Sequence, residues 1–151
     1  MYFCVLLGII AMSRNLCYVL SIMKGGIFMK LNHDCVRDVM LYLEDNLELD
    51  DSIESYGLAN ILKDYAPDEV VYSISKLVEA GYISGISVKT LASVPSYIIT
   101  TITWSGHKFI DNVRTPQVWT ETKQLTSKFG AVSIDIISQV AASVISKALG
   151  I

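Results

Sequence analysis

Tyr97–Trp104 constrains the fold more than any other stretch of the chain. Its eight consecutive residues, Tyr97-Ile98-Ile99-Thr100-Thr101-Ile102-Thr103-Trp104, are all β-branched or aromatic. Such side chains crowd the preceding turn of a helix and pack well on a pleated surface, so the stretch predicts a strand. A strand needs a partner, and the preceding segment offers one. Tyr82–Thr90 carries Ile83, Ile86, Val88 and Thr90. Leu91–Ser96, with Pro95, reads as the hairpin tip between the two. A lone two-stranded hairpin is marginal in water, so it must pack on other elements.

Those elements precede it. Asn32 is a good cap for a helix from His33 to Asn46, with Leu31 and Val36 placed as a hydrophobic staple. Val36, Val39, Met40, Leu43 and Leu47 recur at helical spacing. The acidic stretch Glu48–Glu54 reads as a surface link. Ser55 is the expected cap of a short second helix holding Leu58, Ala59, Ile61 and Leu62, broken at Tyr65-Ala66-Pro67. Asp68 and Glu69 favour the start of a third helix through its dipole. Val70, Val71, Ile74, Leu77 and Val78 form its apolar stripe, and Gly81 ends it. After the hairpin, Ser105 opens another helical segment over Gly106–Val113, with Phe109 and Ile110 inward. Thr115-Pro116 starts a helix running to about Phe129, and a last helix spans about Val132–Leu149.

Three helices followed by a hairpin define the expected fold class. It is α+β, mainly α: a winged helix-turn-helix over residues 29–114 with a C-terminal helical extension over 115–151. The length of 151 residues fits one domain with an appendage. Hydrophobic residues make up 52 % and charged residues 18 %, which excludes a disordered chain. Three cysteines (Cys4, Cys17, Cys35) form no disulfide framework, and with two histidines they match no metal-site spacing.

Residues 1–28 form a separate apolar segment. Met1-Tyr2-Phe3 lacks the positive charge of a signal peptide, and no Ala-x-Ala cleavage site follows. Residues 2–23 approach the roughly 20 apolar positions of a membrane span, but Arg14 would sit in mid-bilayer. Lys24-Gly25-Gly26 admits codons containing a bacterial ribosome-binding sequence, with Ile27 and Phe28 as spacer. The expected authentic start is therefore Met29, with a membrane anchor as the alternative. The expected location is cytoplasmic, with membrane association only if residues 1–28 are translated.

Several stretches together resemble a known family. They are Met29-Lys30-Leu31-Asn32-His33-Asp34-Cys35-Val36-Arg37-Asp38, Tyr72–Ile83, Thr103-Trp104-Ser105-Gly106-His107-Lys108-Phe109-Ile110-Asp111-Asn112-Val113-Arg114, and Val118-Trp119. They resemble the bacterial and prophage family DUF2513, from about Met29 to Leu149. The Gly-His-x-Phe-Ile-Asp-Asn segment is the most specific part. The resemblance implies a winged-helix-like protein of phage and prophage regions in Firmicutes, and it brings no catalytic residues.

The functional expectation rests on the third helix, which enters the major groove in DNA-reading winged helices. Its solvent face is expected to carry Glu69, Tyr72, Ser73, Lys76 and Glu79. Tyr72, Ser73 and Lys76, with Lys89 near the wing tip, are the candidate DNA contacts. Charge opposes this reading: residues 29–114 hold seven bases against thirteen acids, net −6. Counterion release needs lysines and arginines on phosphates. The first expectation is thus a DNA-binding transcriptional regulatory module. The alternative is an acidic protein-binding adaptor without DNA.

No enzyme is expected, and no cofactor or metal. His107 and Asp111, four residues apart, read as a surface pair. His33 reads as solvated or hydrogen-bonded, and Cys35 as a core residue. Trp104 and Trp119 are expected to fasten the final helices to the wing. Ser105-Gly106-His107 lacks the context of a hydrolase elbow, and Lys24-Gly25-Gly26 lacks that of a phosphate loop. The last helix carries a broad apolar band, including Ile134, Ile136, Val140, Ile145 and Leu149. It serves either an intramolecular hairpin with Pro116–Phe129 or a second copy. Ile137, Ala141, Val144 and Ala148 are the candidate self-association residues of a homodimer. A membrane surface fits less well, since the helix lacks a basic surplus.

Overall fold

The computed structural model describes residues 30–89, 95–130 and 132–151. The apolar segment 1–28, the expected start at Met29, Thr90 of the expected first strand and residues 91–94 of the expected hairpin tip lie outside the described residues, and Ser96 of that tip belongs to the second strand of the hairpin.

Helix α1 spans His33–Asn46. The Asn32 side chain accepts from the amides of Asp34 and Cys35, satisfying two of the donors that every helix start leaves open. Cys35, Val36, Val39, Met40 and Leu43 are buried. A two-residue strand follows, β1 (Ile53–Glu54), leading directly into α2 (Ser55–Ile61). The Glu54 side chain, not Ser55, caps α2 by accepting from Gly57 N. Helix α3 spans Pro67–Glu79, with proline at its first position and Asp68 and Glu69 in its first turn. Gly81 then reverses the chain with φ +74°, a backbone region that other residues rarely adopt.

The sheet has three strands in the order β1-β3-β2, with β2 (Ile83–Val88) and β3 (Ser96–Ile102) forming the hairpin. Both neighbours of β3 run antiparallel to it. Pairing is regular except at Ser84/Gly85, where Thr100 is the extra residue on β3. A Cβ on Gly85 would lie 2.8 Å from the Ile98 carbonyl oxygen, so this close approach needs glycine.

The acidic stretch is corrected here. Residues 48–52 are exposed, but Ile53 and Glu54 pair with Ile99 and Ile98, and Ile53 packs on the core. Two residues are too few for a period to show in the sequence.

Helix α4 (Trp104–Val113) starts inside the expected strand. Thr103 Oγ1 accepts from Gly106 N, and the capped helix overrides the β-preference of the last two positions. Helix α5 (Pro116–Thr126), a 3-10 turn (Ser127–Phe129) and α6 (Ile134–Leu149) complete the chain. The fold is α+β and mainly helical. One core runs through it, from Val36, Met40 and Leu43 of α1 to Phe109 and Ile110 of α4 and Ile137 and Ala141 of α6. Among the described residues, no helix is long and apolar enough to cross a membrane.

The α3–wing face as candidate functional site

Helix α3 buries Val70, Val71, Ser73, Ile74 and Leu77. Ser73 was expected on the solvent face and is instead fully buried. Its position explains this: it lies three residues after Val70 and four before Leu77, inside the inward stripe. Its hydroxyl finds no hydrogen-bond partner among the described residues, and it lies close to the Cys35 thiol. Burial pushes that thiol up to about 12, so Cys35 is a packed neutral side chain. Ser73 is unavailable to DNA.

Tyr72 and Lys76 remain on the partly exposed face, one turn apart. Lys76 Nζ lies 5.7 Å from the Tyr72 ring centroid and is also bonded to the Glu79 carboxylate. The hydrogen bond to Glu79 raises the lysine's pKa, helped by the fields of Glu79, Tyr72 and Tyr97. Tyr97 is the residue that sequence reading missed. It sits opposite Ser87 in the hairpin, and its amide donates to Ser55 Oγ at 3.0 Å. The hairpin thus brings Tyr97 within electrostatic reach of Lys76, a proximity no helix periodicity could reveal. Lys89 is exposed, one position beyond β2.

Acids surround this face. Glu69 accepts from Asn32 Nδ2 at 2.9 Å, and Asp68 and Glu79 are exposed. Three other basic residues of the chain are engaged internally. Arg37 donates to the carbonyls of Val113 and Arg114, both at 2.8 Å. Arg114 grips both Glu44 oxygens, at 2.6 and 2.8 Å, and reaches Asp111. Lys123 bonds Asp34 at 2.8 Å.

The other sequence expectations fall as follows. His107 faces Glu44, with Nδ1 3.8 Å from Oε1, while Asp111 pairs with Arg114, so the expected His107–Asp111 pair is replaced. His33 is half-buried, and burial lowers its pKa, against the field of Asp34. Trp119 is buried and donates to Asp34 at 2.8 Å, fastening α5 to α1 and not to the wing. Trp104 is 77 % exposed and fastens neither. Ile137, Ala141 and Val144 are buried within the chain against the α4–α5 side, and only Ala148 of that set is exposed. The intramolecular hairpin has consumed the face expected to meet a second copy. A shallow groove follows the outer face of α5 past Pro116, Thr120, Gln124 and Lys128, and shares no residue with the α3–wing face. Among the described residues, no three His, Cys, Asp or Glu side chains gather as metal ligands would.

A small helical body with a three-stranded sheet and a tyrosine–lysine face defines a class of compact α+β modules. Within it, the chain belongs to the DUF2513 family, whose model, described as "Hypothetical protein (DUF2513)", matches residues 30–133. It is also similar to an uncharacterized protein of Haemophilus influenzae (strain Rd), 34 % identical over 122 residues, covering 80 % of this chain and 99 % of the relative. No solved structure matches.

Proposed function

We propose that the chain is a winged-helix regulatory module whose α3–wing face contacts double-stranded DNA. The observation that carries this reading is the convergence of Tyr72, Lys76 and Tyr97 beside the hairpin, with Lys89 leading towards its tip. The element order supports the winged-helix assignment: a helix, a short strand, two helices, then a hairpin whose second strand lies in the middle of the sheet. On this face Lys76 is held by Glu79 and Lys89 is the exposed cation of the hairpin, so few cations are placed here for phosphates. Binding then depends on a few placed contacts rather than on counterion release, and is weak on random sequence.

A second reading is favoured by one observation. Glu79 holds Lys76, and Asp68 and Glu69 precede it on the same helix. A face of that kind suits a basic partner protein, with the winged helix as an adaptor.

Affinity capture of the full chain from its host, with and without nuclease, separates the two. DNA regulation predicts recovery of an enriched sequence. Lys89→Ala then weakens all sequences about equally and lowers the salt slope by about one, while Tyr72→Ala changes the preference among sequences. A nuclease-resistant protein partner without enriched DNA, weakened by Glu79→Gln, overturns the DNA reading in favour of the adaptor.

A further inference from the structure

We infer that Glu79 occupies the Lys76 ammonium in place of a DNA phosphate, and so sets how weakly the α3–wing face holds a duplex of any sequence. The inference rests on the DNA reading of that face and names how its affinity is tuned. It starts from a carboxylate that helix stability does not explain. Glu79 is the last residue of α3. A helix carries the negative pole of its macrodipole at that end, where an acid is disfavoured and a base favoured. The other two acids of α3, Asp68 and Glu69, stand in its first turn, where the dipole favours them. The order of the pair is also the poorer one, since the lysine precedes the glutamate along the helix. Neither side chain is needed to close the helix end. The carbonyls of Lys76, Leu77 and Val78 accept from the amides of Ala80, Tyr82 and Gly81. What Glu79 does there is hold Lys76.

The surroundings make this hold exchangeable. The Lys76 side chain is 36 % exposed and that of Glu79 70 %. An ion pair so open to water is weak and is screened by salt. An ammonium is a compact charge with rotatable donors and no fixed plane, so a carboxylate oxygen and a phosphate oxygen can replace one another on it. A guanidinium gripped on both oxygens, as Arg114 is by Glu44, would not exchange so freely. Lys76 has a second hold that a change at Glu79 leaves in place, with Nζ 5.7 Å from the Tyr72 ring centroid.

The consequence is electrostatic. While Glu79 holds it, Lys76 brings no net charge to the phosphates and releases no counterion. The duplex must displace the carboxylate to gain that contact, and the displaced carboxylate then faces the phosphates. This penalty is the same for every sequence. It lowers the phosphate share of binding and leaves a larger share to the base contacts. Glu79 is thus a positioning residue, acting through Lys76 and not on the DNA itself.

Fluorescence anisotropy of the full 151-residue chain on a labelled duplex of mixed sequence, over a salt series, is the test. Glu79→Gln should tighten binding roughly three- to tenfold at low salt and steepen the salt slope by about one. Both positions are open to solvent, and unchanged far-ultraviolet circular dichroism checks that the variants fold. In the Lys76→Met chain the same Glu79→Gln change should gain several-fold less and leave the slope where it was. That non-additivity is the signature of a glutamate acting through the lysine. An equal gain in both backgrounds overturns the inference, because the glutamate then only repels phosphates. Equal binding by wild type and Glu79→Gln also overturns it, and leaves the DNA reading standing. If neither binds the duplex at low salt, the DNA reading itself fails and the inference falls with it.

Discussion

Single side chains of α1 close the open ends of other helices. Arg37 supplies the clearest case. The last carbonyls of a helix have no partner within it, and those of Val113 and Arg114 at the end of α4 accept from the Arg37 guanidinium, Val113 from Nε and Arg114 from Nη2. The same group stacks 5.7 Å from the Trp119 ring centroid. A planar fork can bond two carbonyls and lie on a ring at once, and an ammonium cannot. Arg37→Met keeps the apolar stem and strands both carbonyls, so it should cost about 1–3 kcal/mol. Arg37→Lys should recover part of that loss. Urea unfolding checks both, through a lower midpoint with an unchanged slope. Arg37 reads in the sequence as one more surface base of a helix. Its role depends on residues 76 and 77 positions away, and no local pattern encodes that. Gly106 is similar. In the sequence it is only the first residue of a helical segment, yet it sits in α4 where a Cβ would lie 2.2 Å from the Tyr82 carbonyl oxygen. Its lack of a side chain lets α4 press against the hairpin's entry.

At the scale of elements, caps and stripes were legible, and contacts between elements were not. Helix α1 has the expected bounds because a strong cap, an acidic first turn at Asp34 and a five-residue apolar stripe all agree. Strand β3 ends two residues early because Thr103 is both a good strand residue and a good cap, and the cap's bond to Gly106 decides. Strand β1 was invisible, since its pairing comes from Ile98 and Ile99 some 45 residues later. Of the candidate site, Tyr72 and Lys76 were legible from helical spacing. Ser73 was misplaced because a small polar residue on an inward stripe looks like a surface one. The junction of β1 and α2 carries a pH dependence of its own. Burial pushes the Glu54 carboxyl up, but hydrogen bonds from the Ser96 hydroxyl, the Gly57 and Tyr56 amides and Ser55 outweigh it and hold the group below its ordinary 4.5. A carboxyl lowered by folding stabilises the fold above the unfolded value, and the effect is lost as pH falls through the folded one. Wild type should therefore exceed Glu54→Gln in urea midpoint at pH 7. The gap should close as pH drops below 4.5. A gap that stays constant to pH 3 would reject this role for the carboxylate.

At the scale of the whole molecule, residues 115–151 are built into the core and not appended to it. Trp119, Ile137 and Ala141 lie in the same buried cluster as Val36, Met40 and Phe109. Polar bonds repeat the connection. Asp34 of α1 accepts from Trp119 and Lys123 of α5, Asn112 of α4 bonds Ser138 of α6, and Tyr82 bonds Asp135. The sequence suggests a body with an extension, because three helices and a hairpin read as a complete unit and Thr115-Pro116 starts a new helix after it. Packing places both halves in one core, and a core shared in this way unfolds as a unit. The two tryptophans make that measurable, one buried and one exposed. In the Trp104→Phe chain, fluorescence reports Trp119 alone, and far-ultraviolet circular dichroism reports all helices. The two thermal transitions should coincide. Ile137→Ala, which opens a cavity between α6 and the rest, should cost about 2–5 kcal/mol and lower both transitions together. If instead only the fluorescence transition moves, while most of the helical signal melts at its original temperature, the C-terminal hairpin is an independent unit and the shared core contributes little.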